Sequence, residues 1–169
     1  PLHQPALFDR NDGVVAPRRR VWHGRIGEAL LALEATPDPD AVAYHLNRAN
    51  DPRAVDWLMR AGERAQRAFA WQTAADRFET ALALLERADT GLNERGWLRV
   101  RIAMLRRFED PVAGIVDLEQ AERLGRETDD PALTAYARFH QGMLRCQCDD
   151  FRQGIADEEA GIAMLDALS

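Results

Sequence analysis

The sequence predicts an all-α fold, an array of stacked antiparallel helix hairpins, on three observations. Small and apolar residues recur at a spacing of 40 residues: Ala74-x3-Phe78-x2-Ala81, Gly114-x3-Leu118-x2-Ala121 and Gly154-x3-Glu158-x2-Gly161. Four Asp-Pro pairs (38–39, 51–52, 110–111 and 130–131) each set a good N-cap before a proline suited to the first helical turn. Between them the alternation of a β-strand is absent. Small residues at helical intervals let helices touch closely, and a hairpin with too little apolar area of its own gains a core by stacking on its neighbours.

The elements follow in order. Residues 1–17, with Pro1, Pro5, Asn11-Asp12-Gly13 and Pro17, read as irregular or as the tail of a preceding domain. The chain starts at Pro1 without an initiator methionine, and we read it as a segment of a larger protein. The helical repeat domain is predicted over 18–169. Its first hairpin, 18–49, is divergent and holds helices at about 18–35 and 39–49, the second opened by Asp38-Pro39. Three more faithful pairs follow at about 52–88, 92–127 and 131–168, with helices at 52–68, 71–88, 92–108, 111–127, 131–147 and 151–168. Links this short make consecutive helices antiparallel neighbours.

Composition narrows the function. The 169 residues carry 28 acidic and 22 basic side chains, a net charge of -6, and an isoelectric point near 5.2. No general attraction to nucleic acid or to an anionic membrane is expected. Every basic residue is arginine, a bias that fits a GC-rich bacterial genome and carries no function by itself. No apolar run is long enough to span a bilayer and no cleavable signal is visible. A cytoplasmic location is the expectation. Cys146 and Cys148 lie two apart, a spacing that on a helix points them about 200° from each other. That disfavours a disulfide or a shared metal, and reduced thiols are the reading.

Finer spacing places the hairpins in a family. Leu58, Ala61, Gly62 and Ala65 sit on a first helix, and Ala74, Phe78 and Ala81 follow Gly62 by 12, 16 and 19 residues. This resembles the tetratricopeptide (TPR) repeat, and the resemblance implies a right-handed superhelix of helix pairs, an α-solenoid. Leu98, Ile102, Leu105, Gly114, Leu118 and Ala121 keep the apolar logic; Gly142, Gly154 and Gly161 keep the small residues. HEAT-type repeats share a longer period, but the 12-residue gap favours the tetratricopeptide pattern. A period of 40 instead of about 34 predicts longer links around Glu86–Gly91 and Arg126–Asp130. Arg101, Arg138, Gln141, Arg145 and Glu158 stand where the pattern is usually apolar or small. They predict a loosely packed or terminal third pair, or a contact to something outside the segment.

A second resemblance covers about residues 17–88. The run Arg18-Arg19-Arg20-Val21-Trp22-His23-Gly24-Arg25-Ile26-Gly27-Glu28-Ala29-Leu30, with Ala43-Tyr44-His45-Leu46, Asp51-Pro52-Arg53-Ala54-Val55 and Ala61-Gly62-Glu63-Arg64-Ala65, is similar to the helical region behind the ATPase module of LuxR-type transcriptional regulators and related signal-transduction ATPases. The resemblance implies a sensor or interaction arm of a bacterial regulator. Neither a GxxxxGK[ST] loop nor a DNA-reading helix-turn-helix is visible, so ATP and direct nucleic-acid binding are not assigned to this segment.

Catalytic chemistry finds little support. His3, His23, His45 and His140 lack metal-ligand spacing, and the sole serine, Ser169, is the last residue. Asp149-Asp150, ahead of a helix, fit capping better than an acid–base pair. Asp157-Glu158-Glu159 is the other acidic run considered. The arginines of 18–20 fit a solvated helix start. Trp57 and Trp71 are expected in the core, and Trp22 and Trp97 are left open. No catalytic residue, metal or cofactor is assigned, and the chain is read as no enzyme.

The sharper expectation concerns the inner face that the first helices of such pairs line. The family's groove positions fall on Met59, Glu63, Gln66 and Arg67, on Arg99, Ala103, Arg106 and Arg107, and on Phe139, Met143 and Cys146. Guanidinium forks grip carboxylates, and Met and Phe adapt to apolar side chains. The groove would take an acidic, partly apolar peptide or another domain of the parent protein; the alternative is that its arginines pair with local Asp and Glu. A small-molecule effector in the same face is the second functional expectation.

Overall fold

The computed structural model describes residues 12–33 and 35–168, which form eight α-helices and no strand. These are α1 (Asp12–Leu33), α2 (Pro39–Ala49), α3 (Ala54–Arg67), α4 (Trp71–Ala88), α5 (Leu92–Arg106), α6 (Pro111–Glu127), α7 (Pro131–Gln147) and α8 (Phe151–Asp166). The bounds of α2, α4, α6 and α7 are those the sequence predicts. Residues 12–17 are helical and not irregular: the ring-fixed φ of Pro17 is a helical value, and α1 runs through it. The rest of the expected irregular segment, 1–11, lies outside the described residues. The chain divides into two compact units, 1–61 and 62–169, and the boundary falls within α3.

In the first unit α1 packs on α2, which buries Val42, Ala43 and Leu46. Gly27 leaves room for Leu46, whose Cδ2 would stand 3.0 Å from an added Cβ. Asp38 caps α2, its carboxylate accepting from the Asp40 N–H at 2.9 Å. Asp51 behaves differently from the other Asp-Pro pairs. Its carboxylate accepts from the Arg53 N–H at 2.9 Å and pairs with the Arg53 guanidinium at 2.7 Å, which also reaches Glu28. The pair 51–52 is therefore a turn, and α3 starts at Ala54 instead of 52.

In the second unit consecutive helices from α4 to α8 pack on one another, and α5 also touches α7. Asp110 and Asp130 cap α6 and α7 by accepting from the Ala113 and Leu133 N–H groups at 2.9 and 2.8 Å. Asp150 caps α8 through the Gln153 N–H at 3.5 Å, the capping role expected of it. Left-handed residues close the preceding helices: Phe69, Asp89, Asp129 and Asp149, as Asn50 does in the first unit. The next N–H then reaches five residues back, Thr90 to the Leu85 carbonyl at 3.1 Å and Asp130 to Gly125 at 2.8 Å. These turns are short, and the predicted long links do not form. Glu86–Ala88 and Arg126–Glu127 are the last turns of α4 and α6. Alanine, glutamate and arginine there all favour continuing the helix.

The core of this unit joins α5, α6 and α7 through Val100, Ala103, Leu118, Ala121, Leu133, Ala137 and Leu144. The small residues of the repeat are where helices meet. Ala74, Phe78 and Ala81 are fully buried, and the Phe78 ring lies against Gly62, where any Cβ would collide with it.

The third pair is tightly packed, contrary to the sequence expectation. A Cβ on Gly142 would stand 2.5 Å from both the Glu158 nitrogen and the Gly154 carbonyl oxygen; one on Gly161 would stand 2.6 Å from the Phe139 nitrogen. The polar residues are organised around this approach. Asp157, 1% exposed, takes Arg138 Nε at 3.0 Å, Gln153 Nε2 at 3.0 Å and the Arg145 guanidinium. Glu122 accepts from Gln141 Nε2 at 2.9 Å and pairs with Arg138 at 3.2 Å, and Arg145 also reaches Glu119 at 2.8 Å. Three of the residues that seemed out of place, Arg138, Gln141 and Arg145, belong to a hydrogen-bonded lattice joining α6, α7 and α8.

Two predictions follow from this packing. Gly142→Ala should lower unfolding free energy by about 1–3 kcal/mol, because the methyl meets backbone that cannot rotate away. Gly24→Ala, whose Cβ would sit 3.8 Å from that of Ala49, should instead be neutral or stabilise by up to about 1 kcal/mol. Urea denaturation of the two variants checks the contrast, and equal effects would refute it. Asp157→Ala should cost about 1.5–3 kcal/mol, since it removes the buried acceptor shared by Arg138, Arg145 and Gln153 while Glu122 and Glu119 still hold the two arginines; a loss under about 0.5 kcal/mol by the same method would mean this part of the lattice is dispensable.

Candidate functional site

A cavity of about 670 Å³ opens in the second unit between α5 and α7. On α5 the lining residues Trp97, Val100, Arg101 and Met104 repeat at three- and four-residue intervals, one stripe of a helix, and Arg107 and Phe108 continue it past the helix end. Tyr136 and His140, four apart on α7, form the opposite wall, and Trp71 at the start of α4 closes one side.

The aromatic wall is held from behind. The Trp97 indole N–H donates to Asp130 Oδ2 at 3.0 Å, and the same oxygen accepts from Asn93 Nδ2 at 2.8 Å while Oδ1 caps α7. One carboxylate thus fixes an α5 ring against the start of α7. Burial pushes the Asp130 carboxyl upward, but the bonds from Asn93, the Leu133 N–H and Trp97 outweigh it and hold it below the usual value. Trp97 meets Tyr136 at a ring separation of 5.7 Å, and Tyr136 meets His140 at 5.8 Å. Phe69 stands edge-on to Trp71 at 5.5 Å.

The cavity is electropositive. The arginines Arg101 and Arg107 line it, and no Asp or Glu is among its lining residues. Arg101 pairs with Glu63 at 3.1 Å. The Arg107 guanidinium donates to the Met104 carbonyl and lies 4.3 Å over the Phe108 ring, with no carboxylate partner among the described residues. His140 Nδ1 is buried without a hydrogen-bond partner. Burial, and then the nearby Arg107 charge, lower the His140 pKa, so the ring is neutral at pH 7.

The expected groove residues distribute differently. Gln66 and Arg107 line the cavity. Arg99 is clasped between Glu86 and Asp117, and Arg106 pairs with Glu79 at 2.8 Å and Asp76 at 3.1 Å. These two arginines face the acidic side chains of α4 and α6, the pairing alternative that the sequence left open. Burial raises the Glu79 pKa against the pull of Arg106. Glu63 holds Arg101, Arg67 is exposed at the end of α3, and Met59 belongs to the first unit. Ala103 is buried in the core and Met143 packs against it. Phe139 faces Gly161 of α8, and the Cys146 thiol lies against Gly154. Burial, Glu158 and Asp150 raise the pKa of that thiol, and both cysteines are free.

Sequence reasoning missed Trp97, Met104, Phe108, Tyr136 and His140 as a group. The signal was present in the three- and four-residue spacing along α5 and α7. Trp71, expected in the core, is 47% exposed because it occupies the first helical position of α4, where its ring borders the cavity; Trp57 is half-buried. A further pairing was invisible in the sequence: His23 of α1 and His45 of α2 place their Nδ1 atoms 3.0 Å apart, with Tyr44 edge-on to both rings. Burial first, then His23, lowers the His45 pKa.

No protein-family model matches the chain, and no curated protein matches it in sequence. Among the described residues no group of three or more His, Cys, Asp or Glu is arranged to hold a metal ion. None of the described helices is long and apolar enough to cross a membrane.

The cavity's back wall yields a pH-dependent prediction. Because the folded Asp130 carboxyl lies below its unfolded value of about 3.9, its ionised form stabilises the fold above that pH, and the contribution is lost as pH falls through the folded value. Asp130→Ala should cost about 2 kcal/mol at pH 7 through the lost cap and side-chain bonds. The difference from wild type should shrink in acid. Denaturation at pH 7 and pH 3 checks this, and a difference that grows in acid would overturn it.

Proposed function

We propose that this chain is a TPR-like helical repeat domain that works by binding, not catalysis, as a protein-interaction and signal-relay arm of a larger bacterial transcriptional regulator. The observation that carries the reading is the α5–α7 cavity, a concave aromatic and basic surface on successive first helices of the predicted pairs. The repeat reading draws support from the burial of Ala74, Phe78, Ala81, Gly114, Leu118, Ala121, Gly154 and Gly161 and from the contact of α5 with α7. In this reading the pairs stack as a right-handed superhelix, and the partner is a peptide segment or another domain of the parent.

A second reading, an effector-sensing domain of the same kind of regulator, is favoured by one feature. About 670 Å³ is the size of a small-molecule pocket, lined mainly by apolar and aromatic groups with a few polar ones. The two readings differ in what fills the same place.

A photoreactive phenylalanine analogue at Phe108, on the exposed rim of the cavity, and at Val112, likewise exposed on α6 but not lining it, tests the interaction reading. Crosslinks to a discrete cytosolic partner should form from position 108, be lost on Tyr136→Ala, and be absent from position 112. Crosslinks of equal pattern from both positions, or none from 108, would overturn it.

A further inference from the structure

The chemistry of the cavity specifies a ligand more narrowly than its shape does. In a chain of net charge -6, most of the arginines near it are already engaged. Arg99 and Arg106 are held by acidic side chains, and Arg101 is held by Glu63. Arg107 is the exception. It is half-buried, its guanidinium is laid over Phe108, and only a backbone carbonyl accepts from it. Close by, His140 keeps a buried ring nitrogen with no partner. That nitrogen is closed off from solvent, so the neutral ring stands beside Arg107 as part of the wall and the guanidinium is the group that meets a ligand.

Around these two groups the walls are planar. Trp71, Trp97, Phe108 and Tyr136 all line the cavity, and Trp97 is locked in place by Asp130. Aromatic walls favour a flat ring, through offset or edge-on contacts. A guanidinium favours a carboxylate, which it meets with two parallel hydrogen bonds. The absence of lining carboxylates removes the repulsion that would exclude an anion.

We propose that the α5–α7 cavity binds a small planar aromatic carboxylate, its ring held among Trp71, Phe108 and Tyr136 and its anionic group on Arg107 beside His140. This deepens the effector reading and rests on the cavity being the working site. The Arg107 guanidinium, which no carboxylate among the described residues compensates, supplies selectivity for the anion, and the ring contacts supply the remaining affinity. A neutral aromatic of the same shape keeps the second part and loses the first.

Isothermal titration calorimetry of the whole chain with 2-naphthoate, and separately with the neutral 2-naphthalenemethanol, tests the inference. Naphthoate should bind at least tenfold more tightly than the alcohol. Arg107→Gln should remove that preference while leaving affinity for the alcohol unchanged, and Trp71→Ala should weaken both. Equal affinity for the two compounds, or a preference that survives Arg107→Gln, overturns the carboxylate assignment but leaves the cavity as a binding site. Absence of binding by either compound overturns the ligand class, and the Phe108 crosslinks then decide the interaction reading independently. If Arg107→Gln does not fold, the Arg107 side-chain N–H signals followed by NMR in the wild-type chain serve instead: naphthoate but not the alcohol should shift them, and no shift with naphthoate overturns the proposal.

Discussion

The approach of α7 to α8 at Gly142, Gly154 and Gly161 is the constraint on which the rest of the second unit depends. At these glycines backbone stands almost against backbone, with no room for a side chain on the glycine itself. The residues flanking the seam must reach outward, and Arg138, Gln141 and Arg145 do so, meeting Glu119, Glu122 and Asp157 on the neighbouring helices. Buried ion pairs of this kind contribute little net stability compared with an apolar core, yet removing one partner is costly. Their effect here is to fix the rotation of α7 about its own axis. An apolar seam would tolerate a small turn of the helix; a set of charge-assisted hydrogen bonds to three helices does not.

That rotation decides what α7 offers elsewhere. With one side of the helix against α8 and another in the lattice, Leu133, Ala137 and Leu144 point into the core shared with α5 and α6. Tyr136 and His140 then have one place left, the cavity facing α5. Of the 17 residues in α7, only Pro131, Tyr136 and Gln147 are exposed, so Tyr136 is the mid-helix residue on show. Asp130 sets the other end of the same helix, joining its cap to Trp97. The cavity is thus a consequence of packing at a seam on the far side of α7, not of loop chemistry.

The all-α class and the positions of the helices were legible in the sequence because their signals are local. Asp-Pro pairs act through a single side chain and the next few N–H groups, and Asp38, Asp110 and Asp130 cap as expected. Asp51 was misread because Arg53, two residues on, competes for its carboxylate, which the Asp-Pro motif does not reveal. The close-packed third pair was misread for a different reason. Arg138, Gln141 and Arg145 look wrong for a core until Glu119, Glu122 and Asp157 are seen to meet them, and pairing across 12 to 26 residues is not encoded in any short pattern. Positive-φ turns at Phe69, Asp89, Asp129 and Asp149 were equally hidden, since residues other than glycine rarely adopt that conformation.

The groove was harder to read than the fold, because α5 and its C-cap carry arginine on more than one face. Arg95, Arg99, Arg101, Arg106 and Arg107 point in several directions round the axis, so the sequence alone does not say which arginines are structural. Partners decide it. An arginine whose fork is filled by Glu and Asp has its charge compensated and its geometry used, as in Arg99 and Arg106. One that meets only a backbone carbonyl and an aromatic ring keeps a charge that a ligand can still use, as in Arg107. Electrostatic selectivity in an acidic protein therefore depends less on how many arginines approach a site than on which of them the rest of the fold leaves unneutralised.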